Sequence, residues 1–93
     1  MIAQEWKIGG LVQGVGYRFF VFRLARQSQV AGWVRNAPHI VEVHAEGDPD
    51  AMERFDEILR TQVPPGAHVS SFEVRDARVE GLRDFTIRPS SRI

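Results

Sequence analysis

The stretch GLVQGVGYRFF, residues 10 to 20, sets Gly10, Gly14 and Gly16 ahead of an arginine and two phenylalanines. Glycines at this spacing let a backbone curl tightly and approach a ligand, because no Cβ intrudes. Successive amides in such a curl point inward and form an anion-binding nest. Where a helix follows, its unpaired N–H groups and the positive end of its dipole favour the same anion. Arg18 would then stand in the first helical turn, where the dipole disfavours a cation and an anion would compensate it. Its planar fork matches two phosphate oxygens at once, which the point charge of a lysine does not. The chemistry on offer is recognition of a phosphoryl group. The bland alternative is a turn that merely needs glycine, with Arg18 solvated, since so short a motif is weak alone. A second segment, GWVRN at 32 to 36, bears on the choice.

The elements around these residues follow from periodicity. Residues 6 to 13 alternate, with Trp6, Ile8, Gly10 and Val12 on one face and Lys7, Gly9, Leu11 and Gln13 on the other, which predicts a strand. From about Arg18 the period becomes helical, with Tyr17, Val21, Leu24, Ala25 and Ser28 along one side. Phe20 borders that stripe, while Phe19 and Phe22 fall outside it, so one of them should be partly exposed. VAGWVRN and IVEVHAEG read as strands joined through NAPH into a hairpin. Asp48-Pro49 reads as a helix start, a capping side chain followed by proline at the first helical position. Ala51, Met52, Phe55, Ile58 and Leu59 then form its stripe, and VPPGA at 63 to 67 ends it. Residues 68 to 76 make a fourth strand with Phe72 and Val74 on one face, and RDFTIR makes a short last one.

The fold class expected from this order is α+β, a βαββαβ sandwich whose antiparallel sheet carries both helices on one face. The other sheet face is left with Lys7, Trp33, Arg35, Glu42 and His44. One domain over residues 1–93 is expected, with a motif-bearing core from 7 to 88.

Composition narrows the function. Twelve basic and twelve acidic residues cancel, which argues against a nucleic-acid binder held by bulk charge. Through residue 40, however, there are Lys7, Arg18, Arg23, Arg26 and Arg35 against Glu5 alone, so an anion site belongs to the first half. The absence of cysteine excludes disulfides, thiolate metal sites and a cysteine nucleophile. No apolar stretch approaches the ~20 residues needed to span a bilayer, and no secretory signal opens the chain, so no membrane association and a cytoplasmic location are expected. His39, His44 and His68 are far apart in sequence and share no ligand pattern with a carboxylate, so a surface role and no metal are expected. No serine lies in a nucleophile-elbow context. Trp33 could stack on RNA, but packing that positions the Asn36 loop is the better reading, because the third strand offers no aromatic.

GLVQGVGYR followed by GWVRN at this spacing resembles the acylphosphatases, small enzymes that hydrolyse the carboxyl-phosphate bond of acyl phosphates. The resemblance runs from residue 7 to 88 and takes in AEG at 45 to 47, the PPGA loop and the terminal FTIR. It implies a ferredoxin-like sandwich. It further implies that the loop of Gln13, Gly14, Val15, Gly16, Tyr17 and Arg18 cradles phosphate, that Arg18 clamps it, and that Asn36 holds the attacking water. Tyr17 stands where the family most often has phenylalanine, and the APHI turn is shorter than usual and lacks Asp-Gly. No cofactor is implied. The partners implied are a small-molecule acyl phosphate and inorganic phosphate, as product and competitive inhibitor; a monomer is expected. Acylphosphatase-like domains also occur in larger carbamoyl-transfer maturation proteins, so the alternative is a non-catalytic anion-binding or regulatory module on the same scaffold.

Overall fold

A computed structural model describes residues 1–91. The chain forms β1 (Ile2–Leu11), α1 (Tyr17–Ser28), β2 (Ala31–Ala37), β3 (Ile40–Gly47), α2 (Pro49–Thr61), β4 (His68–Ala77) and β5 (Phe85–Ile87). The sheet order is β4-β1-β3-β2-β5. Its register sets Trp6 opposite Val43 and Val74, and Ile8 opposite Val41 and Phe72. Val34 lies opposite Val43 and Asn36 opposite Val41, so Asn36 shares its side of the sheet with the core residues Val34, Val41 and Ile8.

Both helices pack on that side. All five residues of the α1 stripe are buried, Tyr17, Val21, Leu24, Ala25 and Ser28. Of the α2 stripe, Ala51, Met52, Phe55 and Leu59 are buried, and Ile58 packs at its border. Trp6 anchors α2 to the sheet: its ring meets Phe55 edge-on at 5.2 Å, and its indole N–H donates to Asp56 at 2.9 Å. Phe85 closes the core against Phe55 and Phe22. Phe22 is therefore partly covered, and Phe19 is the exposed one, at 61%.

α2 starts at the expected place by a different device. Pro49 opens it, but the Asp48 side chain makes no capping hydrogen bond. Its backbone carbonyl accepts the first helical bond, from Met52 N–H at 2.9 Å, and its charge remains at the positive end of the dipole. α1 ends without glycine: Gln29 takes a left-handed φ of 62°, and Val30 N–H bonds back to the Ala25 carbonyl.

The largely antiparallel sandwich is as expected except at its last strand, whose placement also corrects one expectation about the outer face. β5 is not antiparallel; it pairs parallel with β2, Gly32 opposite Phe85 and Val34 opposite Ile87. β4 and β5 hold opposite edges of the sheet, so residues 78–84 must cross its outer face to join them. That crossing covers part of the face expected to be open. Trp33 and His44 are buried, whereas Lys7 stays exposed.

His44 is consequently no surface residue, in contrast to the exposed His39 and His68. Its Nε2 lies 2.8 Å from Glu46 and its Nδ1 lies 3.1 Å from Glu5 and 3.8 Å from Glu80. Glu46 also accepts the backbone N–H groups of Glu80 (2.8 Å) and Leu82 (2.7 Å), which fastens the crossing segment to β3. Burial alone would push the Glu46 pKa up. The N–H donors of Glu80, His44 and Leu82, with the charge on His44, outweigh it and hold the carboxyl below its ordinary value. Trp33 stacks on His44 at 5.7 Å and carries the guanidinium groups of Arg35 and Arg88 over its ring, at 4.8 and 4.7 Å. Trp33 thus packs within the protein rather than presenting a face for a base.

Candidate active site

β1 and α1 are joined by residues 12–16, and the local sequence forces the curl. Val12 is buried and holds the loop to the core, while Gly14 and Gly16 adopt φ values of 76° and 79°. No atom lies within 4 Å of where a Cβ would stand on either glycine. Glycine is needed there for its left-handed backbone rather than for space. Gly16 is also the N-cap of α1 and offers no side chain to satisfy the helix start.

The first helical hydrogen bond runs from Phe20 N–H to the Gly16 carbonyl at 3.1 Å. The amides of Tyr17, Arg18 and Phe19 precede that bond and have no acceptor within the helix. No acidic residue stands in the first turn to meet the dipole. Arg18 is half-buried and has no ion-pair partner among the described residues. Donors and a cation therefore gather at the start of α1 without an acidic side chain among the described residues to meet them, an arrangement suited to an anion.

Tyr17 brings its amide to this loop but sends its side chain into the core. The ring is 1% exposed and packs against Phe20 at 5.6 Å. Its hydroxyl is buried with no hydrogen-bond partner, and burial pushes the phenol pKa up to about 12.

Asn36 arrives from β2. The hairpin turns in two residues: Pro38 presets a negative φ, and His39 takes 65°. The Asn36 backbone carbonyl accepts from Ser91 N–H at 2.7 Å. Its side-chain Oδ1 is buried and has no hydrogen-bond partner. An unmet buried acceptor is costly, and a donor from outside the chain, such as a water, could satisfy it.

Gln13 brings the loop and the hairpin together. Its side-chain Nε2 donates to the Ala37 carbonyl at 2.8 Å and to the Ile40 carbonyl at 2.9 Å. β1 already lies beside β3 there, with Gly9 opposite Ile40. Gln13 thus ties the loop that opens α1 to the hairpin end of β2, the strand that carries Asn36. Sequence reading had given Gln13 only a backbone amide; its side-chain partners, 24 and 27 residues away, left no local signal.

Gln13, Gly14 and Gly16 are exposed, so this loop lies open at the surface. A cavity of about 710 Å³ lies elsewhere, lined among others by Arg26, Gln29, Glu46, Asp48 and Leu82, and includes none of residues 13–18 or Asn36. The ligand-type side chains Glu5, His44 and Glu80 gather on the outer sheet face, the side away from Asn36. Among the described residues no helix is long and apolar enough to cross a membrane.

The acylphosphatase family model matches residues 4–87. An acylphosphatase of Thermotoga petrophila is 41% identical over 90 residues, covering 95% of this chain and 98% of that protein. The crystal structure of an acylphosphatase from Bacillus subtilis superposes with a TM-score of 0.88 at 36% identity, covering 95% of this chain and 99% of the other. The carbamoyltransferase HypF2 of Cupriavidus necator is 44% identical over 87 residues, which cover 92% of this chain but only 11% of that protein. On the family match, the full-length likeness and the shared fold together, the chain belongs to the acylphosphatase family of enzymes.

Proposed function

We propose that the protein hydrolyses acyl phosphates to a carboxylate and inorganic phosphate, with the 13–18 loop and Arg18 holding the phosphoryl group and Asn36 orienting water. The observation that carries this reading is the buried, unpartnered Oδ1 of Asn36 at the sheet end to which Gln13 ties the cradle. That oxygen accepts one O–H of a water, so the water presents a lone pair to phosphorus. The water oxygen bonds to phosphorus and the bond from phosphorus to the carboxyl oxygen breaks. The carboxylate leaves with the electron pair, and a water proton passes to a phosphoryl oxygen, giving dihydrogen phosphate from a dianionic substrate.

Little else is required of the protein. A carboxylate is a far better leaving group than an alkoxide, so a general acid is dispensable. The transition state is loose and spreads charge over the equatorial oxygens, which Arg18 and the loop amides are disposed to stabilise. The same recognition makes inorganic phosphate a competitive inhibitor. It needs no cofactor, and a monomer in the cytoplasm suffices.

The likeness to a short part of HypF2 favours a second reading, a non-catalytic anion-binding or regulatory module. Hydrolysis of benzoyl phosphate by the purified protein separates the two. Saturable turnover that inorganic phosphate inhibits competitively supports the enzyme; phosphate binding with no turnover supports the module.

A further inference from the structure

Gln13 is exposed, yet the donor end of its side-chain amide is committed twice. Both hydrogens of Nε2 have an acceptor, Ala37 O at 2.8 Å and Ile40 O at 2.9 Å. These two residues face each other as the pair that closes the β2–β3 hairpin. The hairpin does not depend on this bond for its own formation. Pro38 presets its turn, and pairing continues from Ala37 opposite Ile40 back to Ala31 opposite Glu46. What the amide adds is a fixed distance between the cradle loop and the end of β2.

Asn36 is where that distance matters. Its own carbonyl is held by Ser91 N–H at 2.7 Å, and the next carbonyl along, that of Ala37, is held by Gln13. Successive carbonyls are thus fixed, one by the chain after β5 and one by the loop that carries the anion site. Together they set where the unpartnered Oδ1 of Asn36 stands relative to the loop amides. Resting on the hydrolase reading above, we infer that the Gln13 side chain is a positioning residue, which aligns the water held by Asn36 with the phosphoryl group held by the cradle.

The geometry predicts a particular kinetic signature. A misplacement of about 1 Å can cost on the order of 100-fold in rate. The phosphate contacts belong to the loop amides and Arg18, which Gln13 side-chain changes leave in place. Gln13→Ala and Gln13→Glu, the latter of similar size but with acceptors in place of donors, should therefore lower kcat on benzoyl phosphate by roughly 10- to 100-fold. Inhibition by inorganic phosphate should move less than about twofold, since binding and chemistry separate in this way when only an aligned water is lost. Because Gln13 acts through Asn36, its loss should cost almost nothing further in an Asn36→Ala background, a non-additivity that a merely structural role would not produce.

The experiment is a double-mutant cycle on the full chain, with parent, Gln13→Ala, Gln13→Glu, Asn36→Ala and Gln13→Ala/Asn36→Ala compared by steady-state kinetics, phosphate inhibition and thermal melting. A kcat loss with unchanged phosphate inhibition, absent from the Asn36→Ala background, supports the inference. Parent-like kcat in both Gln13 variants overturns it. So do losses that multiply with that of Asn36→Ala, or a loss that only tracks the fraction of unfolded protein. An inactive parent would instead overturn the hydrolase reading, which keeps the two failures distinct.

Discussion

The carboxylate of Glu46 and the imidazole of His44 lie 2.8 Å apart with neither side chain exposed. Neighbouring positions on one face of β3, they meet a segment more than thirty residues away in sequence, because Glu46 also binds the amides of Glu80 and Leu82. Glu5 and Glu46 face the two ring nitrogens of His44, at 3.1 and 2.8 Å.

Stability should depend on that carboxylate. Glu46→Ala leaves the Glu80 and Leu82 amides without their acceptor and strips a partner from the buried His44 ring, and should cost about 1–3 kcal/mol or more. Thermal and denaturant melts test this; a loss under about 1 kcal/mol, as for a surface pair, would contradict it. The pH dependence has a definite sign. The folded pKa lies below the ordinary 4.5, so the contribution is complete above that value and is lost as the pH falls through the lower folded pKa. The parent should lose stability in acid more steeply than Glu46→Gln, and equal slopes would refute the assignment.

Tyr17→Phe should stabilise the protein or leave it unchanged, and should keep activity. The hydroxyl it removes is buried without a partner, a burden of about 1–3 kcal/mol in typical cases. The phenol pKa is raised from 10.0 to about 12, so the parent is fully stable below pH 10 and loses stability as the unfolded chain ionises between those values. The variant should lack this alkaline loss. Melts at pH 8 and pH 11 compare them, and a markedly less stable variant would show that the hydroxyl has a partner after all.

The α1 stripe was legible because a 3.6-residue period needs only its own segment to be read, and Tyr17 through Ser28 bury as that period requires. The hairpin was legible for the same reason, with Pro38 marking a two-residue turn. Gly14 and Gly16 marked the curl ahead of α1, and both take the left-handed backbone that glycine permits. What stayed hidden depends on distant partners. β5 has three residues, too few for a pattern to reveal its parallel pairing. His44 alternates as an outward residue of β3, and only the crossing of 78–84 buries it. The Gln13 amide reaches across 24 residues, a contact no window contains.

Activity should survive exhaustive chelation. Arg18 and the loop amides supply the charge that a magnesium ion would otherwise bring to the phosphoryl group. Turnover of benzoyl phosphate in excess chelator checks this. A large loss restored by magnesium or zinc would refute that part of the mechanism.

Arg18→Ala should fold normally and lose nearly all turnover. Arg18 makes no ion pair among the described residues, and its removal relieves a cation at the positive end of the α1 dipole. Phosphate binding and rate should fall together, because one group anchors the ground state and clamps the transition state. Arg18→Lys should rescue poorly, since a point charge cannot reproduce the fork. Near-parental kinetics in either variant would end the assignment.

Asn36→Ala separates binding from chemistry and tests the proposed mechanism most directly. Its measurement is kcat on benzoyl phosphate together with the inhibition constant of inorganic phosphate, on one preparation whose melting temperature is known. Losing one preorganised polar contact at the reacting centre typically costs about 3 kcal/mol, on the order of a hundredfold in rate. The account predicts that fall in kcat with phosphate inhibition almost unchanged. A destabilised protein that keeps the parental kcat when folded would contradict it, and would leave Asn36 as a residue that only steadies the hairpin.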